Sequence, residues 1–132
     1  RQSIATFALD RIVSLQISSL SVMYPEKLGF EPDRYYDNCF GITRLSEEKA
    51  EEIILSFDSF SGNYLKTKPL HSTQEILIDT EQEFRIRLEL IINRDLVMEL
   101  LSFGDSLKVI SPKRLVEEMK SLLKATLERY NK

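Results

Sequence analysis

The segment Glu83–Ile92 constrains this chain more than any other. Phe84, Ile86, Leu88, Leu90 and Ile92 alternate with Arg85, Arg87 and Glu89. Two-residue alternation sets one row of side chains on a core and the other in water, which is a half-buried strand. Such a strand cannot stand alone. It needs paired edges and a cover for its apolar face, and the rest of the sequence must supply both.

The flanking segments supply them. Glu51–Asp58 reads as a strand, with Ile53, Leu55 and Phe57 on one side. Ser59–Lys68 reads as a weak helix that contains Gly62 and is stopped by Pro69. Gln74–Asp79 is a second strand. Asn93 reads as the N-cap of a helix spaced by Leu96, Val97, Leu100, Leu101 and Phe103, with Gly104 as its left-handed stop. Ser106–Ile110 is a fourth, short strand, and Ser111-Pro112 signals a cap and first turn. The last helix runs to about Tyr130. Leu115, Met119, Leu122, Thr126 and Tyr130 form its stripe, with Val116, Leu123 and Leu127 alongside.

The order β-α-β-β-α-β, closed by right-handed crossovers, predicts an α+β fold: a ferredoxin-like plait with both helices on one sheet face. The other face is expected to be polar and to carry Arg85, Arg87 and Glu89. The terminal helix is extra, packing on the plait's edge or offering a dimer surface.

Upstream, the chain opens in mid-structure. Residues 4–17 read as one extended strand that must pair with another strand, either in its own plait or in a neighbouring copy. Residues 18–45 lose all periodicity, and Pro25, Gly29, Pro32 and Gly41 punctuate them. They read as a connecting arm with one short helix beginning near Pro32 and with aromatics (Phe30, Tyr35, Tyr36, Phe40) that pack locally or anchor an interface. The expected organisation is therefore 1–17 terminal strand, 18–45 connector and 46–132 plait, forming the tail of a longer protein.

Composition narrows the function. Of 132 residues, 42% are hydrophobic and 30% charged, as in a soluble globular domain, and no apolar run is long enough for a membrane span. The single cysteine, Cys39, permits no internal disulfide, which fits a reducing cytoplasm and a small apolar filler rather than a reactive thiol. A net charge of −3 argues against a surface built chiefly to grip phosphates.

Three stretches together resemble the C-terminal half of bacterial WYL-domain transcriptional regulators. Thr6-Phe7-Ala8-Leu9-Asp10-Arg11-Ile12 is similar to the last WYL strand. Phe30-Glu31-Pro32-Asp33-Arg34-Tyr35-Tyr36, leading to Phe40-Gly41-Ile42, is similar to the connector. Pro69-Leu70-His71-Ser72-Thr73-Gln74, Leu101-Ser102-Phe103-Gly104 and Val109-Ile110-Ser111-Pro112 resemble the extension called WCX. The resemblance implies a full-length protein with a winged helix-turn-helix head that binds DNA, an Sm-like barrel that senses a nucleotide or oligonucleotide, and a ferredoxin-like extension. The extension would help form a homodimer and relay the signal. Two departures stand out. Ala5 occupies a position where relatives often carry a ligand-facing Arg, and Thr73 replaces a Ser.

Five residues are candidates for ligand or interface contacts: Arg11, His71, Gln74, Arg85 and Arg87. Arg11 suits a phosphate or an inter-domain contact, or else pairs structurally. His71 and Gln74 lie in a polar run entering a strand, where they reach a ligand or simply tie down a turn. Arg85 and Arg87 share a strand face and would form a basic patch with Lys66 or Lys68, or lie on a solvated or docking face. Phe84 points the other way, so that face lacks the aromatic on which bases would stack.

Catalysis finds little support. One His and one Cys make no ordinary zinc site, and no nucleophile elbow, phosphate loop or His-Glu-x-x-His is present. The expectation is a non-catalytic, cytoplasmic regulatory module with no cofactor, no metal and no membrane contact. The alternative is a stand-alone ferredoxin-like module binding a small molecule or single-stranded nucleic acid.

Overall fold

A computed structural model describes residues 5, 7–21, 29–44 and 48–132. The chain divides into two units, Arg1–Asp37 and Asn38–Lys132.

The second unit contains the plait. Its elements are β1 (Glu51–Phe57), α1 (Ser59–Thr67), β2 (Glu75–Asp79), β3 (Phe84–Leu90), α2 (Arg94–Ser102), β4 (Leu107–Ser111) and α3 (Lys113–Tyr130). The strands form one sheet in the order β2-β3-β1-β4, with every neighbouring pair antiparallel. This is the ferredoxin-like arrangement: each β-α-β crossover skips one strand, so the first and third strands lie at the centre. Phe57 pairs with Phe84 and Leu55 with Ile86, so the two apolar rows meet on the same side.

That side is the core. Ile53, Leu55 and Phe57 from β1, Phe84, Ile86, Leu88 and Leu90 from β3, and Val109 from β4 are buried. Leu65 of α1, Leu96, Val97 and Leu100 of α2, and Leu115 and Met119 of α3 cover them. Each such side chain stabilises the fold by roughly 1.5–3 kcal/mol relative to exposure. Gly62 lets α1 approach β3, because a Cβ there would fall 2.5 Å from Cβ and Cγ of Phe84. Phe57 and Phe103 meet edge to face with ring centroids 5.1 Å apart.

The helices begin where their caps permit. Asp58 accepts from the Ser61 N–H at 2.7 Å at the head of α1, and Asn93 accepts from the Leu96 N–H at 2.8 Å at the head of α2. Gly104 adopts φ +58° after α2, the left-handed stop read from the sequence. The expected cap-plus-first-turn at Ser111-Pro112 is displaced by one residue. Pro112 itself is the N-cap of α3, without a side-chain capping bond.

In the first unit the expected opening strand does not form within the chain. Among the described residues 5 and 7–21 there is no strand; Leu9–Arg11 is instead a short 3-10 turn, closed by Arg11 N–H to Ala8 O at 3.1 Å and Ile12 N–H to Leu9 O at 3.3 Å. Phe7 is 84% exposed and Val13 fully so. Within the chain no strand pairing forms among the described residues of 4–16, while Ile4 and Thr6 lie outside the described residues, as does Pro25. The reason is physical. Alternation favours a strand only when a neighbouring edge supplies ladder bonds, and local i→i+3 bonds win otherwise. Further along, Pro32–Arg34 forms a 3-10 turn with Pro32 in its first position, and Phe30, Tyr35 and Tyr36 stack edge to face at 5.0 and 4.8 Å.

Candidate functional site

The uncovered face of the sheet collects the strand residues that point away from the helices. Glu52, Ile54 and Ser56 of β1 stand opposite Glu89, Arg87 and Arg85 of β3, and Glu75 of β2 stands opposite Arg87. The strands' two aromatics, Phe57 and Phe84, are both buried on the other side. The face therefore offers charge without a stacking platform.

Its arginines are already engaged. Arg87 pairs with Glu75 and reaches Glu52 at 3.6 Å, and its proton is held more tightly than usual, chiefly by the hydrogen bond to Glu75. Arg85 reaches Glu83 Oε1 at 2.7 Å through Nη2 and 2.8 Å through Nε. Ser56 donates to the same oxygen at 2.7 Å, and that bond leads the lowering of the Glu83 pKa, with Arg85 second. Lys66 does not join them. It pairs with Asp79 at 2.6 Å and sits 5.5 Å over the buried Phe84 ring, on the helix side, so the expected basic patch does not extend to it. A sheet face alternates, whereas α1 lies wholly on the opposite layer.

A shallow pocket of about 340 Å3 opens on this face, lined by Glu52, Thr73, Glu75, Arg87, Leu88 and Glu89. The turn before β2 forms its rim. Thr73 Oγ1 accepts from the Glu89 N–H at 3.2 Å and donates to Glu89 O at 3.4 Å, which prolongs the β2–β3 pairing by side chain. His71 Nδ1 lies 3.0 Å from the same Thr73 hydroxyl and accepts from the Thr73 N–H at 3.2 Å. An Nδ1 that accepts places the neutral ring's proton on Nε2. Gln74 serves the opposite layer: its Oε1 accepts from the Leu70 N–H at 3.0 Å and its Nε2 donates to Leu65 O at 3.1 Å. It clasps the end of α1 to the turn.

The structure thus brings Arg87 together with Thr73, and His71 one hydrogen bond behind Thr73. Arg85 shares the face but not the pocket, and Gln74 faces the α1 terminus. Arg11 belongs to the first unit, where it is exposed at the end of its 3-10 turn.

Sequence reasoning missed the carboxylates that occupy the arginines, although the alternation in β1 and β2 places Glu52 and Glu75 on that face. It also missed a second polar cluster. The end of the connector, Asn38–Thr43, lies as a strap beside β3 and α2. Cys39 bridges in parallel with Ile91, and Asn38 O accepts from the Ile91 N–H at 2.8 Å. Asn93, 3% exposed, donates through Nδ2 to Phe40 O at 2.9 Å and Thr43 O at 2.6 Å. Asp95 Oδ2 accepts from the N–H groups of Ile42 and Thr43 at 3.1 and 3.0 Å, and hydrogen bonding from Thr43 leads the lowering of its pKa. Gly41, at φ +70°, passes so close that a Cβ would meet Asp95 Oδ2 at 2.5 Å. Within the strap Cys39 is buried, and burial pushes its thiol pKa up, in keeping with a filler.

Among the described residues no group of three or more His, Cys, Asp or Glu is placed to hold a metal, and no helix is long and apolar enough to cross a membrane. Fold and face together define a small α+β plait with an ion-paired open sheet. The family model of the WCX domain matches residues 45–127, and the chain belongs to that family. The WCX domain is a regulator-associated domain of WYL proteins rather than a member of a known enzyme family. No curated protein matches the chain.

Proposed function

We propose that this chain is the non-catalytic, C-terminal signalling end of a cytoplasmic bacterial helix-turn-helix transcription regulator. In this reading residues 1–17 belong to the end of an Sm-like WYL barrel, residues 18–45 connect it, and residues 46–132 form the extension. DNA is held by a separate N-terminal head, a nucleotide or oligonucleotide binds the barrel, and two copies form a homodimer. The match of the WCX domain to the plait is the observation that carries the reading.

The open face supports docking over chemistry. Its arginines are committed to Glu75, Glu52 and Glu83, so a phosphate would have to break existing ion pairs. A protein surface can instead exchange partners within such a ladder as it docks. Arg85, Arg87 and the His71–Thr73 rim are the contacts assigned to that surface, Gln74 holds the rim in place, and Arg11 contacts the barrel ligand or a neighbouring domain. The mechanism is population shift: ligand on the barrel changes how barrel and extension pack, and the heads are re-spaced.

The test is fluorescence anisotropy on the regulator that carries this chain, with labelled operator DNA, with and without short oligonucleotides. The Arg85→Ala/Arg87→Ala variant should keep operator affinity and lose most of the oligonucleotide's effect on it. An unchanged effect would remove the open face from the relay. Salt-dependent oligonucleotide binding by the 132-residue chain alone would replace this reading with direct nucleic-acid recognition.

A further inference from the structure

α3 loses its cover halfway along. Leu115 and Met119 are buried against the plait, yet every residue from Ser121 to Lys132 is exposed. The apolar stripe does not stop where the cover does. Val116, Met119, Leu123, Thr126 and Tyr130 recur at the four-three spacing of a two-helix seam, with Leu122 and Leu127 on its flanks. Leu127 is 61% exposed and Tyr130 85%. Thr126 spends its hydroxyl on Leu122 O at 2.8 Å, so it brings no unsatisfied donor to such a seam. A free half-helix of this length is marginal by itself and is stabilised by burying its stripe.

We propose that the C-terminal half of α3 pairs antiparallel with the same half of a second copy of this chain. The proposal rests on the homodimer reading above and assigns it a surface. Three observations select this occupant and direction. The plait already covers the stripe at Leu115 and Met119, so parallel helices would bring two plaits onto the same end of one seam. Antiparallel helices set each plait beside the other copy's free end. The register is then self-complementary: Leu123 meets the second copy's Thr126, and Tyr130 reaches the point where the second copy's plait begins to cover its own stripe. The flanking cations avoid one another, because in this register Lys120 lies along the second copy's Leu127 and Arg129 along its Leu122. Their alkyl stems cover leucine while the charged heads stay in water. With Leu122, Leu123, Leu127 and Tyr130 as its exposed large apolar side chains, the stripe offers a contact no larger than the roughly 1,000 Å2 lower edge of specific interfaces, which corresponds to a micromolar rather than nanomolar dimer.

Sedimentation of the 132-residue chain between about 1 and 500 µM tests the pairing. The expected result is a reversible monomer–dimer equilibrium whose Kd rises at least about 100-fold in Leu123→Glu/Leu127→Glu, with an unchanged circular dichroism spectrum for the plait. Direction is read by mixing Leu123→Cys and Thr126→Cys chains under oxidation, with buried Cys39 out of reach. The mixed disulfide should far exceed either self-disulfide. A dimer undiminished in the Glu variant overturns this surface while the homodimer reading stands. A chain that stays monomeric throughout overturns the pairing itself, and a dominant Leu123→Cys self-disulfide overturns the antiparallel direction.

Discussion

Replacing Asn93 by Ala tests whether the connector's end is structurally part of the plait. The side chain makes three hydrogen bonds in a nearly inaccessible site: one caps α2 at Leu96, and two hold Phe40 O and Thr43 O. Loss of a helix cap costs about 1 kcal/mol, and each further hydrogen bond contributes about 1 kcal/mol. The expected loss is therefore about 3 kcal/mol, a large share of the roughly 5–15 kcal/mol typical of a domain. In urea, with a slope near about 1–1.5 kcal/mol per molar for a unit this small, the midpoint should fall by about 2–3 M with little change in slope. Asn93→Asp separates the two roles. It keeps the acceptor for Leu96 N–H but turns a carboxylate oxygen towards two carbonyls, so at neutral pH it should be as damaging as Ala despite an intact cap. Amide exchange at Ile42 and Thr43 should quicken in both variants. A loss under about 1 kcal/mol in Asn93→Ala, or wild-type stability in Asn93→Asp, would refute the argument that the strap is pinned at this residue.

Three shorter predictions accompany it. Gly62→Ala should destabilise by about 1–3 kcal/mol in thermal denaturation, because crowding against Phe84 outweighs the gain in helix propensity of about 1 kcal/mol; a stabilised variant would show that α1 can move away. The carboxyl pKa values of Asp58, Glu83 and Asp95 are all lowered in the fold, so their stabilisation is complete above the unfolded value of about 4 and drains away as pH falls through the folded values. Urea midpoints should accordingly drop on acidification below about pH 4, more shallowly in Asp95→Asn, and a midpoint that rises would reverse the sign of this linkage. Arg87→Ala removes an exposed ion pair and should leave the unfolding midpoint almost unmoved, so a large destabilisation would mean that the ladder is a structural element rather than a surface.

The plait was legible because its signals are local and redundant. Alternation in β3, the Asn93 cap and Gly104 each fix an element without reference to distant residues, and all agree with one topology. The opening segment misled for the converse reason: its alternation states a preference that only a partner strand can realise. The strap was illegible because its bonds join residues about fifty positions apart, and nothing in Asn38–Thr43 but Gly41 hints at them. At the open face, alternation correctly placed Arg85 and Arg87 together, but the strand register that brings Glu75 opposite Arg87 depends on a bulge between Ile76 and Ile78 that no local pattern announces.

The strap also decides how tension would travel. A pull arriving from residue 37 meets the bonds from Ile91, Asn93 and Asp95 to the strap before it can reach β1. Like the clamp on a cable where it enters a housing, it passes the load first to the end of β3 through Asn38 and then to the head of α2, before β1 carries any of it. Torque or traction applied upstream would therefore bear on the β3–α2 junction before it reached the other strands of the sheet.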